Sequence, residues 1–388
     1  MRLGIVRQRY TPFGGAERFV ERAIDALLER GVRVSVYTRQ WPQARTGRIE
    51  PVICNPFYLG NVWRDASFAK AVRAALARDR PDIVQSHERI EGCDIFRAGD
   101  GVHRVWLEER RRTGGRAERI AIAANRYHRY VQDAEARVFA SPSLKAVICI
   151  SQMVRDDIRA HFRLPDDRLH VIYNAVDPRE FNPGVRAGRD ATRARLGLAA
   201  ADVAFLLVGS GYARKGVPAA IRALARLPAP ARLVVVGRDK DPRRYEALAA
   251  RAGVASRVVF AGPQQDPRPY YGAADAFVLP TLYDPLSNAV LEALACGLPV
   301  VTSTRCGAGE LVVASGAGWR CDAIDDGALA AHMEVLLDPR EREPRAARAL
   351  DAVAPLTPAA MTQRLLELYD SVSGGRLPGS PAPGTETP

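Results

Sequence analysis

The chain has 388 residues, of which 47% are hydrophobic, and its formal net charge is +12. This length exceeds one ordinary hydrophobic core and suits two domains of about 180 residues each. No apolar run is long enough to span a membrane, and the first residues lack the apolar stretch of a secretory signal peptide. We therefore expect a cytoplasmic protein.

The six cysteines form no CxxC pair and show no metal-site spacing to the six histidines. They fit a reducing compartment, several of them as small buried hydrophobic side chains. The charge is uneven, with a net +9 in residues 1–180 and +3 in residues 181–388. A basic first half suggests an anionic partner, which could be a phosphorylated substrate, an acidic membrane surface or nucleic acid.

The first half alternates strand and helix patterns. A helix is predicted over 16–30, ending at Gly31, and another is predicted to begin after the cap Ser151. The predicted strands are 3–6, 32–38, 83–85, 94–97 and 146–150. Gly14 and Gly15 stand between the first strand and the first helix, where the backbone could approach a ligand closely. Alone, such a pair is a weak signal, because turns use glycine everywhere.

Asp100 and His103 follow the strand predicted over 94–97. They therefore belong at the carboxyl edge of the sheet, where ligand-binding groups are expected. On the residues alone, a hydrogen-bonded turn through Gly99, Asp100 and Gly101 is the simpler interpretation.

The segment 104–140 is rich in arginine, above all from Arg104 to Arg129, and the arginines are interleaved with Trp106, Tyr127 and Tyr130. Arginine with interfacial aromatics is the composition of a helix that lies on an anionic bilayer. A charged and solvated helix face is the more frequent explanation of such a run. Both interpretations stay open.

A turn-rich segment over 174–183 interrupts the pattern, which then restarts, so a domain boundary is predicted after residue 180. The strands predicted in the second half are 203–208, 233–237, 258–262, 276–279 and 299–302. The predicted helices are 216–227, 242–252, 325–337, 344–353 and 359–372. The tail from 374 is rich in glycine and proline, and we expect it to be disordered.

Arg214 and Lys215 follow the strand 203–208 and precede a helix, with Gly209 directly after the strand. Two cations at the carboxyl end of a strand, beside a helix N-terminus, suit a diphosphate.

Residues 276–302 predict a βαβ unit whose loop carries Asp284 and whose helix carries Glu292 and ends at Gly297. Carboxylates accept pairs of hydroxyl protons, so the two acids suit a sugar attached to a phosphate. The alternative is a loop or cap residue at Asp284 and a solvated charge at Glu292.

This spacing resembles the acid-x7-acid motif of glycosyltransferase family 4, with Asp284 in place of the more usual Glu. The family also shows the run NxVDxxxF at its domain junction, matched here by Asn174, Val176, Asp177 and Phe181, which we interpret as structural. The resemblance implies an α/β protein of the GT-B architecture, with two Rossmann-like domains facing across a cleft. Residues 1–180 would bind the acceptor and 181–356 the nucleotide-sugar. Residues 357–373 would form a helix that packs back on the first domain, before the tail 374–388.

The resemblance also assigns roles to residues. The donor-binding set would be Gly14, Gly15, Gly209, Arg214, Lys215, Asp284, Leu286, Ser287, Asn288 and Glu292. The catalytic set would be Asp100, Arg214, Lys215 and Asp284, and the candidates on the acceptor side would be Asp100 and His103. No metal or other cofactor is expected, because the two cations would balance the charge of the leaving diphosphate.

Within the family, the stretches PFGGAER, CDIFRAGDGVHRVWL and YDPLSNAVLEALACGLPVVTS look most like the bacterial lipopolysaccharide core glucosyltransferases. The resemblance implies retaining transfer of a hexose, expected to be glucose, from a UDP-sugar to an inner-core heptose. It places this work at the inner face of the cytoplasmic membrane, with membrane contact through the Arg104–Arg129 region and no nucleic-acid partner. One alternative is a GT-B transferase or sugar-nucleotide epimerase of another pathway. The weaker alternative is a non-enzymatic basic binder of membranes or nucleic acid, for which no nucleic-acid motif is present.

Overall fold

The computed structural model describes residues 1–9, 24, 27–41 and 49–375. The chain divides into two compact units. The first unit runs to Asn174 and includes the C-terminal segment from Pro358, and the second is Ala175–Thr357. The predicted boundary after residue 180 lies slightly beyond this division. Gly14, Gly15, most of the predicted helix 16–30 and nearly all of the tail lie outside the described residues.

The first unit contains a seven-stranded parallel sheet in the order β3-β2-β1-β4-β5-β6-β7. Its middle strands are buried on both faces, which explains why they appear in the sequence as short continuous apolar runs. The strands are β1 (Arg2–Val6), β2 (Arg33–Thr38), β3 (Ile49–Ile53), β4 (Ile83–Ser86), β5 (Ile95–Ala98), β6 (Ala146–Cys149) and β7 (Leu169–Val171). The edge strand β3 was not predicted, because its side chains are only partly buried and its apolar pattern is weak.

The described helices of this unit are α1 (Gly60–Asp79), α2 (His103–Thr113), α3 (Arg116–Ala124), α4 (Arg126–Phe139), α5 (Gln152–Phe162) and the C-terminal α15 (Pro358–Ser373). The predicted cap Ser151 is confirmed, since its hydroxyl accepts from the backbone N–H of Val154 at 3.2 Å. Helix α15 buries Leu365, Leu366 and Tyr369, and the Tyr369 hydroxyl donates to Gln85 of β4 at 2.7 Å. The last helix therefore packs on the first unit, as predicted.

The arginine-rich segment forms three consecutive helices, α2, α3 and α4, rather than one continuous helix. Gly114 and Gly115 separate α2 from α3, and Asn125 begins α4 by accepting from the N–H of Tyr127 at 2.9 Å. Tyr127 turns inward to bond Asp65, and Trp106 is half-buried. Tyr127 thus makes a contact within the first unit. No helix in the described part of the chain is both long and apolar enough to cross a membrane.

The second unit contains a six-stranded parallel sheet in the order β10-β9-β8-β11-β12-β13. Its strands are β8 (Val203–Val208), β9 (Ala231–Val236), β10 (Val258–Gly262), β11 (Ala276–Leu279), β12 (Val300–Ser303) and β13 (Gly318–Cys321). Its helices are α6 (Arg189–Arg195), α7 (Tyr212–Lys215), α8 (Val217–Leu224), α9 (Arg243–Arg251), α10 (Arg268–Ala273), α11 (Asn288–Ala295), α12 (Gly309–Ser315), α13 (Asp326–Val335) and α14 (Pro339–Val353). Both halves are therefore Rossmann-like, as the predicted fold class requires.

The βαβ unit β11–α11–β12 matches its prediction closely. Gly297 adopts a left-handed φ of 71° after α11, which is the conformation that favours glycine at a helix end. Arg214 and Lys215, in contrast, belong to the helical turn α7 rather than to a loop before the next helix. All six cysteines are free and buried, in line with their predicted packing role.

The junction residues are structural, as interpreted from the sequence. Asn174 accepts from the buried Arg97 guanidinium at 2.6 Å, and the Val176 N–H donates to the carbonyl of Leu356 at 3.0 Å. The Phe181 ring lies edge-on to Tyr271 at 5.7 Å. These contacts tie the junction into the body of each unit.

Candidate functional site

The candidate donor site of the second unit lies where the strand order reverses. Strands β9 and β11 flank β8 on opposite sides, so the connections that leave β8 and β11 diverge. At such a point the carboxyl ends of parallel strands leave a crevice, which is where ligands bind in open α/β sheets. The turn after β8 carries Arg214 and Lys215, and the loop after β11 carries Asp284.

Two hydrogen bonds of Tyr212 hold helix α7 in place. The Tyr212 backbone N–H donates to the Asp239 carboxylate at 2.7 Å, and the Tyr212 hydroxyl donates to the carbonyl of Gly237 at 2.9 Å. Gly216 ends the turn with a φ of 79°, and a Cβ at this position would lie 1.9 Å from the carbonyl oxygen of Pro280. Only glycine therefore allows α7 to approach the end of β11 so closely.

Arg214 and Lys215 both lie close to Asp284, where α7 approaches the end of β11. The Lys215 ammonium forms an ion pair with the Asp284 carboxylate, and the Arg214 guanidinium lies 3.9 Å from the same Oδ2 atom. The Arg214 carbonyl accepts from the N–H of Leu282 at 2.8 Å and from the Thr281 hydroxyl at 2.9 Å. Side-chain and backbone contacts thus join the two loops into one rigid edge.

Opposite charge decides the ionisation of Asp284. Burial alone would raise the pKa of this carboxyl, but Lys215 and then Arg214 outweigh burial and hold the pKa below its ordinary value. Asp284 therefore stays ionised. Because its Oδ2 atom contacts both cations, the carboxylate orients Lys215 and Arg214.

Gly209 makes room for the lysine. A Cβ at Gly209 would lie 2.9 Å from Cγ of Lys215, so the lysine stem lies directly over the glycine backbone. Gly209, which the family resemblance assigns to donor binding, therefore lies against the side chain of Lys215.

The residue that precedes α11 combines an unusual backbone conformation with an unsatisfied polar group. Ser287 has a left-handed φ of 73°, which is rare for a residue other than glycine. Its hydroxyl is buried and has no hydrogen-bond partner in the structure. Leu286 is buried just before it, its carbonyl accepting from the N–H of Ala308 at 2.8 Å, and Asn288 begins the helix. Strained backbone and an orphaned hydroxyl beside a positive helix end are features of a ligand cradle.

Glu292 lies further along α11, roughly 6 Å along the axis from Asn288 at 1.5 Å per residue. It accepts a hydrogen bond from the Tyr271 hydroxyl at 2.8 Å. Tyr271 of α10 is fully buried, and burial followed by the Glu292 charge raises the pKa of the phenol well above its ordinary value. Sequence reasoning missed Tyr271, because nothing in its local pattern distinguishes it from the neighbouring Tyr270.

In the first unit, Asp100 and His103 both contact one buried ion-pair network. Arg89 lies 3.4 Å from the Asp100 carboxylate and 3.1 Å from Glu135, which is only 1% exposed. Glu135 also accepts from the backbone N–H of His103 at 3.1 Å. The Nε2 atom of His103 lies 3.1 Å from the Nδ1 atom of His128, within hydrogen-bond distance. Asp100 is itself exposed, within the turn that Gly101 completes with a φ of 67°.

Burial decides the direction of the pKa shift for Glu135 and His103 of this network and for Glu88 beside it. Burial raises the pKa of Glu135 despite the Arg89 charge, and it raises the pKa of Glu88 despite Arg7. The pKa of His103 is lowered to about 4, chiefly by burial and then by the charges of Arg89 and His128. Asp100 raises this pKa, but its effect is weaker. His103 is therefore neutral near pH 7.

A cavity of about 130 Å³ adjoins this network, next to the reversal of strand order between β1 and β4. Its polar lining is Gln8, Arg64, Asp65, Glu88, Arg89, Asp100, Tyr127 and Tyr130. Sequence reasoning missed Glu88 and Arg89. The available signal was their position, since they lie three and four residues after the strand predicted over 83–85, at its carboxyl end.

A larger cavity of about 390 Å³ lies elsewhere in the second unit, lined in part by Asp275, Pro299, Arg186 and Arg342. Asp275 and Pro299 precede β11 and β12, so this cavity is at the amino ends of the strands, opposite the donor site. Strand direction therefore argues against it as the donor site despite its size. Within the described residues, no group of three or more His, Cys, Asp and Glu side chains is placed to hold a metal ion.

Two family models match the chain. Residues 13–180 match "Glycosyltransferase Family 4", and residues 202–339 match "Glycosyl transferases group 1". The first match covers the arginine-rich segment and Asp100, and the second covers Arg214, Lys215, Asp284 and Glu292.

Curated relatives agree with the models. The lipopolysaccharide glucosyltransferase WaaG of Escherichia coli K12 is 29% identical over 80% of this chain and 82% of its own length. A D-inositol 3-phosphate glycosyltransferase of Xylanimonas cellulosilytica is 28% identical over 86% of each protein.

Solved structures share the fold. The crystal structure of WaaG superposes with a TM-score of 0.79 at 25% identity, over 96% of this chain and all of that one. Anabaena HepE in complex with UDP and glucose has a TM-score of 0.70 at 20% identity, over 96% of this chain and all of that one. With a family 4 domain followed by a group 1 domain, this chain belongs to the glycosyltransferases of the GT-B fold.

Proposed function

We propose that this protein is a retaining hexosyltransferase that moves glucose from UDP-glucose to an inner-core heptose of lipopolysaccharide. The observation that carries the proposal is the pairing of Arg214 and Lys215 with Asp284, beside the helix end where the Ser287 hydroxyl lacks a partner. This arrangement offers fixed positive charge and hydrogen-bond groups at one sheet edge. The glucosyltransferase name of WaaG and the UDP and glucose bound by HepE support the choice of donor.

The donor contacts follow from the charges. Arg214 and Lys215 bind the diphosphate, together with the N–H groups at the start of α11. Asp284 keeps both cations oriented, and its remaining acceptor capacity serves the hexose hydroxyls. Glu292 binds the ribose, with its carboxylate held by the Tyr271 hydroxyl. Gly14 and Gly15 complete the donor set as a proposal, since they lie outside the described residues.

The reaction breaks the bond between the sugar C1 and the diphosphate oxygen and forms a bond from C1 to the acceptor oxygen on the same face. The acceptor hydroxyl proton passes to the departing diphosphate, which balances the step without a carboxylate nucleophile. Negative charge grows on the diphosphate while positive charge grows on the sugar ring. Arg214 and Lys215 stabilise the negative charge on the diphosphate. Preorganised charge of this kind is usually the largest contribution to catalysis.

The acceptor groups come from the first unit. Asp100 is exposed at a strand's carboxyl end and His103 is neutral near pH 7, so both can contact a hydroxyl-rich ligand. The adjoining cavity contains carboxylates and two guanidinium groups, Arg64 and Arg89. Such a lining suits a phosphorylated saccharide. Asp100 is the proposed catalytic group of this unit.

We propose further that no metal ion takes part and that the enzyme works as a cytoplasmic protein, peripheral on the inner face of the membrane. The two cations at α7 supply the charge compensation that a metal would otherwise provide. A chelator is expected to leave transfer unchanged. Loss of activity that Mg²⁺ restores would contradict the metal-free mechanism.

Ligand-dependent thermal unfolding tests the donor assignment. UDP and UDP-glucose are expected to raise the melting temperature more than GDP, ADP or their sugar conjugates, because a ligand that binds only the folded state stabilises it. No shift with any nucleotide would contradict the proposal. Product analysis with UDP-glucose and truncated lipopolysaccharide then tests the acceptor. Transfer to an inositol phosphate instead, the acceptor class in the name of the Xylanimonas relative, would overturn the lipopolysaccharide assignment, and an epimerised sugar nucleotide would overturn the transferase assignment.

A further inference from the structure

The cavity of about 390 Å³ at the amino ends of β11 and β12 takes no part in the proposed reaction. It lies entirely within the second unit, between the turn 183–188, the end of α11 and helix α14. Its volume falls in the range of pockets that hold small molecules, roughly 300–1,000 Å³. The donor site lies beyond the opposite ends of the same strands, so a ligand in this cavity would leave the diphosphate site free.

Most of the cavity wall is apolar. The apolar residues of the lining include Pro183, Pro299, Pro339, Ala346, Ala347 and Leu350. Such a wall suits a ligand with a compact carbon body, because small-molecule pockets combine apolar walls with a few polar groups. The charged residues of the lining are Arg186, Asp275, Arg342 and Glu343.

Arg186 contributes a positive charge without a partner. It is accessible to solvent, and it forms no hydrogen bond and no ion pair with any residue that the structure describes. Its pKa is lowered, first by partial burial and then by the positive charge of Arg189. Arg342 also lowers this pKa, by a smaller effect. A bound anion would offset the repulsion between these guanidinium groups.

The turn that carries Arg186 is tightly packed. A Cβ at Gly272 would lie 2.2 Å from the carbonyl oxygen of Val185, so the turn directly contacts α10. Arg189, just after the turn, donates to the carbonyls of Gly272 and Ala274 at 3.2 and 2.8 Å. Arg186 therefore extends from a fixed backbone, which reduces the entropy lost when a ligand binds.

Arg342 is the second guanidinium of the cavity, and its orientation is fixed. Its Nη1 atom donates to the carbonyls of Leu336 and Leu337 at 2.7 and 2.8 Å. These acceptors are neutral, and Arg342 forms no ion pair with an acid in the described part of the chain. Its other N–H groups remain available to a ligand.

The two acids of the lining do not cancel these charges. Asp275 is already paired with Arg189 and Arg193, at 2.6 and 3.2 Å, and it accepts from the Ala204 N–H at 2.8 Å. Glu343 is exposed and has no ion pair among the described residues. The cavity is thus lined by two guanidinium groups that lack an acidic partner and by one exposed acid.

We propose that this cavity binds a small organic oxyanion, a carboxylate or phosphate on a compact apolar body, through Arg186 and Arg342. Planar guanidinium groups bind either oxyanion through paired hydrogen bonds, and the apolar wall covers the carbon body. Arg214 and Lys215 lie at the other ends of the strands and stay free for the diphosphate. The inference adds a second ligand site to the unit and does not depend on the proposed function.

Calorimetry with the full chain tests the inference. The probes are phenyl phosphate and benzoate, and the one that binds more tightly identifies the preferred oxyanion. Benzyl alcohol has the apolar body without the charge, and inorganic phosphate has the charge without the body. Both are expected to bind at least about tenfold more weakly than the better probe, because each lacks one half of the recognised structure. Equally tight binding of benzyl alcohol would overturn the inference.

Two variants locate the binding. Arg186→Gln is expected to weaken binding of the better probe at least about tenfold, since a charge-assisted contact is lost. It removes no hydrogen bond of the described structure, so it should fold like the wild type. Ala346→Phe keeps both arginines and is expected to abolish binding by filling the cavity. The control Arg226→Gln removes an exposed cation of the same unit and should bind like the wild type.

Competition with UDP distinguishes this cavity from the donor site. The probe is titrated with and without saturating UDP, and its affinity is expected to be the same in both. Displacement of the probe by UDP would place it at Arg214 and Lys215 and overturn the inference, as would unchanged binding in Arg186→Gln and Ala346→Phe. A chain that binds the probe but not UDP would count against the proposed function alone.

Discussion

The two units repeat one architecture but treat charge in opposite ways. At the strand reversal of the second unit, Asp284 is buried and yet its pKa is lowered, because two cations face it. At the strand reversal of the first unit, burial raises the pKa of Glu88 and Glu135 and lowers that of His103. The second site therefore keeps its acid charged, whereas burial in the first unit moves Glu88, Glu135 and His103 towards their neutral forms, beside arginines that stay charged.

This difference matches two kinds of ligand. A diphosphate carries permanent negative charge and gains most from cations that stay charged and oriented. A saccharide presents hydroxyl groups, which are bound by groups that accept or donate hydrogen bonds at short range. The comparison supports a division of labour in which the second unit holds the donor and the first unit holds the acceptor.

The largest expected effect comes from removing the fixed charge. Lys215→Ala should lower the transfer rate by about a hundredfold or more, as expected when a preorganised charge at the reacting group is lost. UDP affinity, measured by calorimetry, should fall as well. The control Arg222→Ala removes an exposed cation of the same unit, which pairs with Asp326, and should leave both quantities unchanged. Near-normal turnover of folded Lys215→Ala would remove the proposed site.

The second effect tests the other side of the comparison. Asp100→Asn should slow transfer by at least about tenfold, because an acceptor that is held in the wrong position reacts more slowly. This effect does not require Asp100 to transfer a proton. UDP affinity should be unchanged, because Asp100 belongs to the first unit. Glu91→Gln removes an exposed acid of that unit, paired with Arg73, and serves as the control. A loss of UDP affinity in Asp100→Asn would contradict the division of labour.

A smaller effect is expected at Tyr271. Tyr271→Phe removes one hydrogen bond to Glu292, which is worth about 1 kcal/mol or about fivefold in affinity. The change should appear in KM for the donor with kcat nearly constant, because the tyrosine positions Glu292 without contacting the reacting atoms. Tyr270→Phe is the matched control and should behave like the wild type. An equal fall in kcat would argue that the hydroxyl has a direct role.

The smallest effect concerns pH. Unfolded His103 takes up its proton near its ordinary value of 6.5, but folded His103 takes it up only near 4, so folding stability falls as pH drops from 6.5 to about 4. Denaturant unfolding across that range should show a smaller loss for His103→Gln than for the wild type. The opposite ranking would show that His103 is charged in the folded protein.

Much of this architecture follows from local sequence. The middle strands are continuous apolar runs because a parallel sheet buries both faces, and Gly297 and Ser151 marked helix ends because their conformations and hydrogen bonds are local. The edge strand β3 and the long helix α1 were missed, since partial burial leaves a weak periodic signal.

The candidate site was predicted unevenly for a similar reason. Arg214, Lys215, Asp284 and Glu292 could be selected because each stands at the end of a recognisable strand or on the helix that follows. The contacts between these residues could not be predicted, because the ion pair of Lys215 with Asp284 joins residues far apart in the chain. Tyr271 and Glu135 were missed, since only burial and a distant partner make either of them important.

The sequence by itself determined two parallel αβ units, the charged residues at strand ends and the basic character of the first half. Tertiary structure alone decided which charges are compensated and which aromatics face solvent. Tyr127 and Trp63 look equally suited to a membrane from composition, yet one is turned inward by Asp65 and the other is left outside. Burial and ion pairing depend on partners distant in the chain, and no local pattern records them.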